Sequence, residues 1–117
     1  MTEKNIISAK AYYEAINNRN LAEAEKYLDS NVEYMGPLTN MSGKKAVVNG
    51  IKYFMTVFEK LNIRTVIGSK DQVILIYDLD CPAPIGNVRT AVLMDFKNHL
   101  ISKVELFFDP RPFERKI

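Results

Sequence analysis

Tyr34 is the residue whose type and position offer the most chemistry. It stands in a short run, Val32-Glu33-Tyr34-Met35, that Gly36-Pro37 cuts off. A phenol there can donate a hydrogen bond to a ligand oxygen while its ring lies on apolar surface. It can equally be a core tyrosine with its hydroxyl at the edge. Asp109, directly before Pro110, can act as a general base or acceptor at a pocket mouth, or it can cap the chain reversal and pair with Arg111 or Arg89. Tyr34 and Asp109 are the two candidate catalytic residues. Glu105 depends on which face of its strand turns inward. If Lys103, Glu105, Phe107 and Asp109 do, Glu105 is a buried carboxylate with a raised pKa. If Val104, Leu106 and Phe108 do, it is solvated, and the purely apolar character of that set favours this arrangement.

Other groups carry weaker signals. Asp78 and Asp80 share a strand face, a spacing that can bind a cation or share a proton, but no third ligand is evident and Arg89 can pair with one of them across a sheet. The spacing therefore assigns no metal site, and nothing in the chain calls for a cofactor. His99, the single histidine, falls in a turn, and the single cysteine, Cys81, has no base nearby and reads as a small apolar residue. Candidate ligand-binding residues are Tyr12, Tyr13, Met35, Phe54, Phe58 and Tyr77, each of which can also be plain core.

These side chains need elements to hold them. Ile6, Ala9, Tyr13 and Ile16 recur at helical spacing, with Tyr12 beside them, and predict a helix over Thr2 to Asn18. Asn20 with Glu23 resembles a capping box and opens a second, shorter helix with Leu21, Ala24 and Leu28 on its buried side, ended by Asp29-Ser30-Asn31. Val32 to Met35 follows as a short strand, and Gly36 to Ser42 reads as loop. Ser42 is a plausible N-cap for a third helix over Gly43 to Lys60, with the stripe Val47, Ile51, Phe54 and Phe58. Gly50 inside it marks either a close approach or a tolerated surface position. From Leu61 the period changes to two. Strands are predicted from Leu61 to the turn at Gly68-Ser69-Lys70-Asp71, over Gln72 to Cys81, over Val88 to Lys97, and from Leu100 to Phe108 through Asn98-His99. Pro82 and Pro84 end the second of these. Helices followed by an antiparallel meander give an α+β class, and a sheet bent around helices leaves a cone-shaped cavity between them.

The 117 residues suit a single domain, with 47% hydrophobic and 26% charged residues and a net charge of +2. Interspersed charges of both signs argue against nucleic-acid or membrane-surface roles. Arg111, Arg115 and Lys116, diluted by Glu114, read as a solvated tail. No stretch approaches the length of a membrane span, the opening residues lack the apolar run of a secretory signal, and a lone cysteine fits a reducing compartment, so a cytoplasmic location is expected. Apolar residues on both faces of Gln72 to Ile76 and of the last strand predict a homodimer.

Tyr12-Tyr13-Glu14-Ala15-Ile16-Asn17 through Asn20-Leu21, then Asn31-Val32-Glu33-Tyr34, Gly43 opening a helix, and Ile101 to Asp109 together resemble the nuclear transport factor 2-like superfamily, in particular its SnoaL-like branch. The likeness spans nearly the whole chain. It implies a cone-shaped fold of three N-terminal helices packed on a strongly curved, mainly antiparallel sheet. It also implies a cavity for a small apolar, oxygen-bearing ligand, with isomerase- or cyclase-type acid–base chemistry as one reading and a non-enzymatic binding or dimerisation module as the other. The ketosteroid isomerase branch works with a carboxylate base and two acidic donors. Tyr12 falls where its first-helix tyrosine stands, but the base position offers Tyr34, Met35 and Gly36, and the second donor position falls near Val92. SnoaL-type cyclases use an aspartate and often a histidine in the pocket, and here the histidine lies in the final turn.

Overall fold

The structure, a computed structural model, describes residues 2–114. Its elements run α1 (Thr2–Asn17), α2 (Leu21–Glu25), β1 (Leu28–Met35), β2 (Asn40–Ser42), α3 (Lys44–Phe54), β3 (Lys60–Ser69), β4 (Gln72–Asp80), β5 (Asn87–Lys97), β6 (Leu100–Phe107) and the single turn α4 (Arg111–Glu114). Arg115 and Lys116, assigned above to a solvated tail, lie outside the described residues.

α1 buries Asn5, Ala9, Tyr12, Tyr13 and Ile16, one side of a helix at 3.6-residue spacing. It ends where Arg19 takes a left-handed φ of 59° and the Asn20 amide donates back to the Ala15 carbonyl. Asn20 then caps α2, its Oδ1 accepting from the Glu23 amide at 3.2 Å. Only half of a capping box forms, because the Glu23 carboxylate turns to Lys26 and Tyr27.

One six-stranded sheet, in the order β2-β1-β6-β5-β4-β3, carries the fold. β3 to β6 form the expected antiparallel meander. The β5–β6 turn at Asn98-His99 has positive φ at both residues (52° and 69°), the backbone of a tight two-residue hairpin. β1 pairs in parallel with β6 and antiparallel with β2. The sheet is curved and does not close, its edges being β2 and β3. α1 packs on β3 and β4, and α3 packs on β1. The concave core between them includes Ile16, Val32, Val47, Leu75, Val92, Met94, Ile101 and Val104, all at most 1% exposed. Among the described residues no helix is long and apolar enough to cross a membrane.

Four boundaries differ from the sequence expectation. Leu28 opens β1 instead of closing α2, because β6 offers its backbone there: Leu28 stands opposite Ile101, and the Ile101 amide donates to the Tyr27 carbonyl at 2.8 Å. Within Gly36 to Ser42, read as loop, Asn40–Ser42 becomes β2 by pairing with Glu33 to Met35. Ser42 is thereby occupied as a strand residue. Gly43 takes the N-cap position of α3, at a φ of 91° that suits glycine. α3 stops at Phe54 instead of Lys60. The Thr56 and Val57 amides close tighter turns onto Tyr53 and Phe54, and the Glu59 amide is already drawn to Asp80 of β4.

Candidate functional site

Alternation along the strands decides what faces the helices. On β4, Val73, Leu75, Tyr77 and Leu79 are buried, and on β5 Val88, Thr90, Val92, Met94 and Phe96 are. The closing strand turns Val104 and Leu106 to the same side, with Phe108 following, while Phe107 is 52% exposed and Glu105 lies on the outer face. The closing strand is therefore core, not an acid–base wall.

Between that face and the helices lies a cavity of about 720 Å³, within the range of small-molecule sites. Its walls are overwhelmingly apolar: Ile16 of α1, Ile51 and Phe54 of α3, Leu79 and Val88 of the sheet, and a rim of Leu38, Tyr53, Pro84, Ile85, Pro112 and Phe113. Phe113 of α4 folds back edge-on against Phe108, ring centroids 5.5 Å apart, and so closes one side. Gly50 meets the wall at Met41. A Cβ there would come within 2.7 Å of the Met41 thioether, so the glycine makes room for a side chain from the β2 edge.

The polar groups in this apolar chamber are chiefly phenols. Tyr12 and Tyr13 of α1, Tyr34 of β1 and Tyr77 of β4 all line it, with Thr90 beside Tyr77 on the neighbouring strand. The rings of Tyr12 and Tyr13 meet edge to face at 4.8 Å, and Tyr13 leans on Tyr77 at 5.2 Å. The hydroxyls of Tyr12, Tyr13 and Tyr34 make no hydrogen bond to any described residue. Burial raises the pKa of all four phenols above its ordinary value. Proximity adds to this: Tyr34 and Tyr77 raise Tyr12, Tyr77 raises Tyr13 most among its neighbours, and Tyr34 raises Tyr77, against which the Thr90 hydroxyl pulls. At neutral pH these groups are uncharged donors. Among the described residues no Asp, Glu, His, Lys or Arg lines the cavity.

The sequence candidates thus separate. Tyr34, Tyr12, Tyr13, Phe54 and Tyr77 come together on the cavity wall. Met35 does not, because strand alternation sends it to the opposite face from Tyr34, beside Glu105. Phe58 is buried (3% exposed) but outside the cavity, packed on Phe54 at 4.9 Å and covered by the Arg19 guanidinium 4.2 Å above its ring. Asp109 is exposed and binds Arg111, accepting from its amide at 3.0 Å and from its guanidinium at 2.7 Å, the capping role weighed against catalysis. Asp78 holds Arg89 at 2.8 Å and Arg64 at 3.1 Å on the outer face, and Asp80 accepts from Asn87. Cys81 is buried, which raises its thiol pKa, and His99 is exposed in its turn. Thr90 had a readable signal, a hydroxyl in the alternating apolar series Val88, Val92, Met94 and Phe96.

Comparison with known proteins agrees with this architecture. Among curated proteins none matches the chain in sequence. Solved structures match it closely in shape at low identity, which shows the fold alone. A nuclear transport factor 2-like protein of unknown function from Cytophaga hutchinsonii is 22% identical with a TM-score of 0.81, over 92% of each chain. A Kribbella flavida protein provisionally assigned as a ketosteroid isomerase is 17% identical with a TM-score of 0.84, over 92% of this chain and 79% of that one. TerC, co-crystallised with polyporic acid, is 17% identical with a TM-score of 0.82, over 95% of each. The SnoaL-like domain profile matches residues 9–104, all six strands but the end of β6 included. With that profile over most of its length and the cone of helices on a curved sheet behind it, the chain belongs to the SnoaL-like family of the nuclear transport factor 2-like superfamily.

Proposed function

We propose that this protein binds a small apolar, oxygen-bearing molecule in the cavity between helices and sheet and holds it by tyrosine hydroxyls, without carboxylate acid–base catalysis. One observation carries the reading: an open apolar chamber of about 720 Å³ whose polar groups include Tyr12, Tyr13, Tyr34 and Tyr77, with Tyr53 at the rim, and, among the described residues, no ionisable acid or base near neutral pH. Proton abstraction beside a carbonyl needs a base whose pKa lies near the working pH. Phenols pushed upward by burial are poor bases and weak acids, yet they remain good hydrogen-bond donors. That TerC has been co-crystallised with polyporic acid is consistent with ligand binding in this fold. The test is native mass spectrometry of protein purified from its own host. A retained small molecule, lost on filling the chamber by Val88→Trp, is the expected result. A protein that carries no such mass, and binds no apolar fluorescent probe at micromolar concentration, would contradict the reading.

A second reading concerns the convex face and is compatible with the first. Ile67 (60% exposed), Ile74 (43%) and Phe107 lie on the face turned away from the helices, and register brings Ile67 beside Ile74, Ile74 beside Leu93, and Phe107 beside Ala91. A contiguous exposed apolar patch favours association, and its occupant on this reading is a second copy of the chain. Since Cys81 has no other cysteine in the chain to pair with, the reading places the protein in the cytoplasm.

A further inference from the structure

Resting on the cavity-binding reading, we infer that the tyrosine cluster selects a neutral ligand presenting two neighbouring oxygen acceptors, a quinone or a dicarbonyl, and discriminates against anions of the same skeleton. Tyr12 and Tyr13 are only 1% and 2% exposed, both line the cavity, and neither hydroxyl bonds to a described residue. A hydroxyl that opens into an apolar cavity with no partner in the protein is free to donate to a group that arrives from outside. Tyr34 of β1 supplies a third donor, close enough to Tyr12 and Tyr13 to act on both electrostatically, whereas Tyr77 has Thr90 beside it.

Ring contacts hold the two helix tyrosines together. Tyr12 is wedged edge-on against Tyr13 at 4.8 Å, and Tyr13 rests on Tyr77 at 5.2 Å, so the two helix phenols act as one unit. A single carbonyl oxygen has two lone pairs and would leave one of the three donors unanswered, while two adjacent oxygens accept from all of them. Charge selection follows from the walls. Among the described residues no Lys, Arg or His lines the chamber, so a carboxylate entering it loses its hydration and meets no counter-charge. A cation fares no better, because no carboxylate lines it either.

The experiment measures affinities of the full-length protein for four matched tricycles: phenanthrenequinone, fluorenone, phenanthrene and phenanthrene carboxylate. Phenanthrenequinone should bind about tenfold more tightly than fluorenone, at the usual value of one extra neutral hydrogen bond, and the carboxylate should bind more weakly than phenanthrene. Tyr12→Phe and Tyr34→Phe should each remove most of the quinone's advantage, read as the ratio of its affinity to that of phenanthrene on the same variant. If the variants lose phenanthrene as well, the wild-type ranking of the four compounds decides the matter. Equal affinity for quinone and fluorenone, or tightest binding of the carboxylate, overturns the inference while leaving the cavity reading standing. If none of the four binds, the cavity reading itself fails.

Discussion

The two faces of the sheet are built from the same strands and do opposite things with polarity. On β4 the inward residues Val73, Leu75, Tyr77 and Leu79 alternate with the outward Gln72, Ile74, Ile76, Asp78 and Asp80. Charge is confined to the outer set, where Asp78 is bracketed by Arg64 and Arg89. The inner set carries hydroxyls only. A residue moved by one position would exchange one environment for the other, so each face limits the chemistry the other can hold. The concave side presents phenols in an apolar chamber and, among the described residues, no Asp, Glu, His, Lys or Arg. The convex side has the charges but no enclosure to give them power.

The contrast is broken most directly by truncating neighbours across it. Leu75→Ala, on the concave side, should cost about 2–5 kcal/mol, while Ile74→Ala, next in sequence but outward, should cost less than about 1 kcal/mol. Denaturant midpoints check both, and equal losses would mean that the faces are wrongly assigned. Next in size is association: Ile74→Lys with Phe107→Lys should turn a dimer into a monomer in sedimentation velocity with little loss of fold. A wild-type monomer at micromolar concentration would remove the second reading.

Alkaline pH sharpens the concave side. Burial holds the phenols of Tyr12, Tyr13, Tyr34 and Tyr77 above their ordinary value. The unfolded chain ionises them near pH 10, so their contribution is fully present below about pH 10 and is lost as pH rises beyond it. Phenolate absorbance should therefore appear together with unfolding, and Tyr13→Phe should flatten the fall in stability. A smaller effect is expected from Gly50→Ala, which pushes the Met41 thioether aside and should cost bulky ligands a few-fold in affinity, measured by titration, while small ones are unaffected. Least of all should be Asp78→Asn. The Arg89 hydrogen bond foremost, and Arg64 after it, hold that half-buried carboxylate below its usual pKa. Its contribution is present above about pH 4 and fades as pH falls through the folded value. The variant should slightly blunt acid destabilisation in a denaturant series.

What could be read from sequence and what could not divide along the range of the interactions. The meander from Leu61 onward was legible because period-two alternation and turn residues such as Asn98-His99 are local signals. β2 was not, since Asn40–Ser42 is a strand only by virtue of Glu33 to Met35, and β1 reaches back to Leu28 only because β6 is there to receive it. In the cavity, the tyrosines were legible as aromatics on inward stripes. Phe58 falls outside the cavity because α3 ends at Phe54, whereas the apolar spacing predicts a helix to Lys60 with Phe58 in register with Phe54. Met35 went against an alternation that Tyr34 had already set. Spacing alone leaves both roles of Asp109 open, and in the structure Arg111 folds back onto it. Phe113 stands in the single turn α4 and Ile85 in a turn, stretches too short for a period to show.

The parallel seam between β1 and β6 has a consequence for how the protein comes into being. Tyr34 sits opposite Val104, so the first strand made must wait for some 70 further residues before its main partner exists. Pairings so distant in sequence make for slow, late assembly. During synthesis α1, α2 and β1 are therefore a waiting half, with Val32 and Leu28 uncovered, until β6 slides between β5 and β1 and completes the sheet. A chain interrupted before Leu100 would carry every tyrosine of the cavity and lack the Leu106, Phe108 and Phe113 that wall it.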